Sequence, residues 1–334
     1  MQKNNKYSCQ HKYNTAYDFL RLICTIIIIV HHSEYFFGFL VRGYIVVELF
    51  FIISGYMIMQ SIEKNPECST WYFIKKRIVR IFPEYWFSWC VLLVIRIIIH
   101  QVPYKHLYSP IADLLLLENI GLPFELEGIN YPCWYLSVLL WGGTLVFVLA
   151  RFLPTKVYRI LSVISIIFFY GYVLVNFYSI EQWGSVSHVF YLPFWRGVAG
   201  MMTGTLMYHM PIPKKRIGII VEVFTILALI ASLFLKGRYD YLAIVIIFLL
   251  LWSVRSDDSI LRKLGDASLI KCISKSQYGI FVNHIAMVLL FRKLSLNWVI
   301  SLIGIIILTF LLACLGKQVS EKYISNNLYK VIKG

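Results

Sequence analysis

The sequence predicts an all-α fold, a polytopic membrane helix bundle of about ten transmembrane helices with both termini in the cytoplasm. Three observations lead there. The 334 residues are 59% hydrophobic and 15% charged, more apolar than a water-soluble core of this length needs. The apolar residues gather into ten segments of spanning or near-spanning length, at 17–37, 43–62, 84–101, 134–153, 157–178, 189–209, 217–235, 239–254, 277–292 and 295–316; ten spans of about 20 residues occupy about 200 positions. Finally, 23 of the 32 Lys and Arg residues fall in alternate connections and tails, 6 fall on the opposite side and 3 (Arg21, Arg96 and Arg196) lie inside spans. That split is a positive-inside signal with the amino terminus in the cytoplasm, and it accounts for the net charge of +15 without a nucleic-acid partner.

Composition excludes collagen-like, disordered and disulfide-framework classes. The seven cysteines are odd in number, contain no CxxC pair and read as small hydrophobes. The whole chain, 1–334, reads as one integral-membrane domain, with polar residues 1–16 as a cytoplasmic segment, the first span as the anchor and 317–334 as a cytoplasmic tail.

Charged groups inside the hydrocarbon cost about 2.5–3.5 kcal/mol each on insertion scales, so they mark candidate functional positions. The first span carries Asp18, Arg21, His31 and His32. Eleven helical steps put Arg21 and His32 on one face about 16 Å apart. Arg21 as a snorkelling cation and His32 as a span-end residue is the equally weighted plain alternative. The second span carries Glu48 and the sixth Arg196, both near the outer boundary, where a structural salt bridge between them competes with a role in chemistry. Gly197, Gly200 and Gly204 suggest close helix packing.

Between the second and third spans, 71–82 reads as an interfacial amphipathic helix ending at Pro83, with Lys75, Lys76, Arg77 and Arg80 facing lipid phosphates or a phosphate-bearing ligand. Residues 110–119 are too short to cross and read as interfacial or re-entrant. The ninth span carries Tyr278 and His284 near its cytoplasmic end. No metal-ligand spacing stands out.

Taken in order, Asp18-x-x-Arg21 with His32 beyond it, Val47-Glu48-Leu49-Phe50-Phe51-x-x-Ser54-Gly55-Tyr56, Arg77-x-x-Arg80-Ile81-x-Pro83, Trp134-Tyr135-Leu136-Ser137 and Tyr278-x-x-Phe281-x-x-His284 resemble the membrane acyltransferase 3 family of integral-membrane sugar O-acyltransferases. The resemblance covers residues 16 to about 325. It implies transfer of an acyl group, usually acetyl, from acyl-CoA to a hydroxyl of a surface polysaccharide such as lipopolysaccharide or exopolysaccharide, or of its lipid-linked precursor, in the cell (inner) membrane. Three departures stand out. The second-span acid, commonly Asp, is Glu48; Val138 and Leu139 stand where many members carry a glutamate; and the 334 residues include no hydrolase-like extracytoplasmic domain, which weighs against a relay onto peptidoglycan.

On this reading His32 is the general base, because an imidazole titrates near neutral pH, and Glu48 and Arg21 complete the catalytic set. Arg77, Arg80, Arg21, Tyr278 and His284 hold acetyl-CoA or another acyl-CoA, and Asp18, Arg196 and Trp134 support the site. The expected partners are acyl-CoA, the glycan or lipid-linked sugar acceptor, and the bilayer. A glycan exporter and an O-succinyltransferase, the latter using Arg196 or Arg96 for the extra carboxylate, are the alternatives. Acceptor contacts are expected at Asp113, Glu118, Glu125, Glu127, Trp183 and His188.

Overall fold

The computed structural model describes residues 14–33, 42–101, 109–118, 120, 128–182, 186–187, 190–235 and 239–325. Within them every one of the ten apolar segments is helical: α1 (Thr15–His32), α2 (Val47–Lys64), α3 (Thr70–Ile98), α5 (Trp134–Phe152), α6 (Thr155–Phe177), α7 (Leu192–Tyr208), α8 (Lys215–Ser232), α9 (Asp240–Ser253), α12 (Gln277–Leu294) and α13 (Trp298–Val319). Short helices α4 (Ser109–Leu114), α10 (Ile260–Gly265) and α11 (Ser268–Ser274) fill the connections, and Val186–Ser187 pairs with Phe190–Tyr191 in a small antiparallel hairpin. Six helical stretches are long and apolar enough to cross a membrane: Thr15–His32, Gly43–Lys64, Thr70–Ile98, Tyr131–Phe152, Thr155–Phe177 and Trp298–Tyr323. The protein is therefore an all-helical membrane protein. α13 and the π-helical turn Ser320–Ser325 carry the helix past residue 317, where the tail was expected to begin.

Sequence-local signals start and stop these helices. Asn14 caps α1 by accepting from the Ala16 N–H at 3.0 Å, and Ser69 caps α3 by accepting from Tyr72 N–H at 3.1 Å. Pro154 precedes α6, and Tyr178 ends it in the left-handed conformation at φ 59°.

α2 is the central element. Of its apolar stretch 67% is buried, against 22% for α6, whose Ile160, Ile164, Ile167 and Phe168 point outward. An apolar outer surface of that kind is what hydrocarbon solvates. α2 crosses α7 backbone to backbone: a Cβ on Gly55 would collide with the Met201 carbonyl, and one on Gly204 with the Ile52 carbonyl. The close packing expected at Gly197, Gly200 and Gly204 is thus formed, and the small residues are what permit it.

The expected helix break at Pro83 does not occur. The segment read as a separate interfacial helix and the third span form one continuous 29-residue helix, with Pro83 inside it. Proline in a helix interior costs about 3 kcal/mol, and burial of Phe73, Ile81, Phe82, Tyr85 and Leu92 on either side offsets that cost. The Tyr278 hydroxyl also donates to the Ile81 carbonyl at 2.7 Å, tying α12 to the proline turn.

Candidate active site

The site is built on one face of α12. Tyr278, Phe281 and His284 recur every three residues, so they form a stripe about 9 Å long. Two anchors fix this stripe. Ser88 Oγ and Asn130 Nδ2 both donate to the Val282 carbonyl, at 2.5 and 2.9 Å. Nearer the helix start, Gln277 Nε2 donates to Thr25 Oγ1 at 3.1 Å, whose hydroxyl donates to the Arg21 carbonyl at 2.9 Å. α12 is thereby held against α1 between Arg21 and His32.

Beside the lower part of this stripe lies a cavity of about 150 Å³. Arg21, Arg77 and Arg80 line it with Ser54, Gln277 and Tyr278, and Phe50, Tyr135 and Phe281 supply apolar wall. Five helices (α1, α2, α3, α5 and α12) contribute. No Asp or Glu is among the described lining residues. Arg80 is exposed, Arg77 is half-buried, and the Arg21 side chain is 13% exposed, so the cations descend from the cavity mouth into the bundle. Arg21 is flanked by Asp18 at 3.4 Å and donates to Met57 Sδ at 3.1 Å. Arg77 lies over the Phe73 ring at 4.5 Å and donates to the Leu139 carbonyl. It reaches that carbonyl only because residue 143 is glycine, where a Cβ would strike the guanidinium.

His32 and His284 do not line the cavity; they sit beyond Phe281. The His284 ring is 5.7 Å from Phe281 and 5.2 Å from His32. Tyr131 meets His32 edge-on at 5.5 Å, and His31 lies 5.4 Å away. His284 is fully buried, and its Nδ1 is 2.5 Å from the Phe281 carbonyl. A carbonyl only accepts, so Nδ1 carries the proton and Nε2 presents a lone pair. That Nε2 has no hydrogen-bond partner among the described residues. His284, expected in the donor grip, is thus placed against the expected base instead.

Glu48 is placed elsewhere. It accepts from Arg196 Nε and from the Tyr170 hydroxyl, each at 2.5 Å, and has no contact with His32 among the described residues. Arg196 also donates to the Tyr44 carbonyl at 3.0 Å and lies 5.6 Å from the Trp134 ring. The salt bridge weighed as the plain alternative for Glu48 and Arg196 is formed. Tyr44 in turn meets His31 at 6.1 Å, so this cluster supports the chain next to His32.

Of the expected acceptor contacts, Asp113 and Glu118 are buried and turned inward. Asp113 accepts from Tyr85 Oη at 2.9 Å, Trp89 Nε1 at 2.7 Å and Ile129 N–H at 2.8 Å. Burial and the neighbouring Asp113 carboxylate push the Glu118 carboxyl well above the usual carboxylate range. Both are internal fasteners of the 109–118 segment. Glu125, Glu127, Trp183 and His188 lie outside the described residues. Arg96 donates to the carbonyls of Ile129 and Gln101, at 3.0 and 3.1 Å, and neither it nor Arg196 lines the cavity.

Sequence reasoning missed Ser54, Tyr135 and Gln277 as cavity residues. Ser54 and Tyr135 stand inside the motifs themselves, and helical phase relative to Glu48 and Trp134 was the available signal. A family model described as an acyltransferase domain matches residues 14–317. The chain belongs to the acyltransferase 3 family. The matched span contains every cavity and histidine residue named above. Comparison with curated proteins and with solved structures returns no match.

Proposed function

We propose that this acyltransferase moves a short acyl group, acetyl above all, from cytoplasmic acyl-CoA to a hydroxyl of a surface polysaccharide or its lipid-linked precursor. It does so as a ten-span protein of the cell membrane with both termini in the cytoplasm. The observation that carries this reading is the cavity lined by three arginines, with no acid among its described lining residues, whose wall residue Phe281 meets His284 of a histidine pair. Guanidinium groups grip phosphates bidentately, so Arg80, Arg77 and Arg21 bind the phosphates of coenzyme A, and Tyr278 borders the pantetheine arm. The thioester is then directed along the α12 stripe toward His32 and His284.

In the transfer step an imidazole nitrogen of His32 takes the proton of the acceptor hydroxyl as its oxygen attacks the thioester carbon. The C–O bond forms, the C–S bond breaks, and the imidazolium returns the proton to the departing thiolate. The His284 ring lies 5.2 Å from that of His32, and its Nε2 lone pair accepts a hydrogen bond from the charged form of His32, stabilising it. Glu48 acts at a distance, as a positioning residue: through Arg196 it holds Tyr44 and hence His31. Engagement of Arg96 and Arg196 by other groups favours acetyl over succinyl, since neither is available to a second carboxylate.

The test is His32→Ala. Loss of a general base lowers the rate by about 10²–10⁴-fold, read as acetyl content of the surface glycan in cells carrying the variant at wild-type abundance. Near-wild-type acetylation would remove His32 from the role of base.

A further inference from the structure

Three aromatic side chains separate the cationic cavity from the histidine pair. Phe50 from α2, Tyr135 from α5 and Phe281 from α12 all line the cavity, and Phe281 meets His284 on its other side. They also close on one another, with ring centroids 5.7 Å (Phe50 and Tyr135), 5.6 Å (Tyr135 and Phe281) and 6.3 Å (Phe50 and Phe281) apart. Such separations and angles are those of packed aromatic rings, so the three narrow the way between them. Phe51 backs the group at 4.9 Å from Tyr135, and its burial prevents Tyr135 from retreating. Beyond the rings, His284 is fully buried, and the His32 ring, itself partly exposed, is flanked by His284 and Tyr131 at 5.2 and 5.5 Å.

We infer that Phe50, Tyr135 and Phe281 form a collar that sets the length of the transferred acyl group, admitting acetyl and excluding longer chains. The inference rests on the acyl-CoA reading of the cavity. An acyl group held by its coenzyme A in the cavity reaches the histidines only by parting these rings, and the cost of parting them rises with what must pass. Phe50 is the variable element, because Phe281 is fixed by the anchored α12 and Tyr135 by Phe51.

The experiment measures the dissociation constants of CoA, acetyl-CoA and hexanoyl-CoA for the detergent-purified protein by calorimetry. The wild-type protein is expected to bind hexanoyl-CoA at least about tenfold more weakly than acetyl-CoA, the lower end of what a tight apolar pocket achieves. Phe50→Ala is expected to bring the two constants close together, and Phe281→Leu, a milder change, to move their ratio the same way. Equal wild-type constants overturn the collar, as does a ratio that neither variant changes while CoA still binds. If CoA itself does not bind the wild-type protein, the acyl-CoA reading falls and the collar's role falls with it.

Discussion

Buried charge in this bundle is arranged in two opposite ways. Around Glu48 every charge has its complement: Arg196 and Tyr170 saturate the carboxylate, and the guanidinium spends a further donor on the Tyr44 carbonyl. A second closed group repeats the pattern, with Asp240 held by Arg42, Tyr44, Ser179 and the Ile180 N–H. A third has Glu222 capping α10 through Ser259 and the N–H groups of Ile260 and Leu261. The cavity differs. Asp18 pairs with Arg21 and the Leu139 carbonyl takes Arg77, yet all three arginines face a space with no acid among its described lining residues, and the His284 beyond it has an Nε2 with no hydrogen-bond partner among the described residues. Closed groups fix helices in place, whereas an open group is unfinished without a ligand.

Removing one member of a closed group should therefore do most harm to stability. Arg196→Ala leaves Glu48 buried without its cation and should lower unfolding free energy by about 3–5 kcal/mol, measured by thermal denaturation in detergent. Replacing both partners with apolar residues of similar volume should recover most of that loss, and no recovery would mean that the pair does more than neutralise itself. Next in size, Gly204→Ala forces a methyl group against the Ile52 carbonyl and should cost about 1–3 kcal/mol by overpacking, read as a lower melting temperature.

Smaller still is a pH effect at Glu118. Its carboxyl stays protonated in the fold to a higher pH than in the unfolded chain, where the reference value is about 4.3. Its contribution is thus full below that reference value and is lost as pH rises toward the folded value. Glu118→Gln should flatten the decline in melting temperature at higher pH; an unchanged profile would show that Glu118 is ionised in the fold.

Much of this contrast was legible in the chain. The ten apolar segments are helical, and six of the helical stretches are long and apolar enough to cross a membrane, where backbone groups find no partner outside the helix. Arg21, Arg77, Arg80 and Tyr278 share a cavity because each stood out as a polar group in or beside an apolar run. What escaped was pairing across long sequence distance. Arg42 and Asp240 sit at the ends of two segments expected on the same side of the membrane, so their contact was available in principle, yet nothing local announces it. Glu222 is the one charged residue of the apolar run 217–235, and nothing near it in sequence announces its partners, backbone N–H groups of a helix dozens of residues later. Pro83 misled for the opposite reason: its local preference for a break was outweighed by packing on both sides. His284 was assigned by depth along its own helix, and only the placement of α1 shows its proximity to His32.

The smallest effect on stability is expected at the open group itself, where Arg80 is exposed and Arg77 half-buried, and there the central claim is tested most directly. Calorimetric titration of detergent-purified protein with CoA should show binding that weakens by about 100-fold in an Arg77→Ala, Arg80→Ala variant, as loss of two charge-assisted phosphate contacts requires, while the melting temperature without ligand stays near that of the wild type. Equal CoA affinity in the two proteins would contradict the account and leave these arginines as anchors for lipid headgroups.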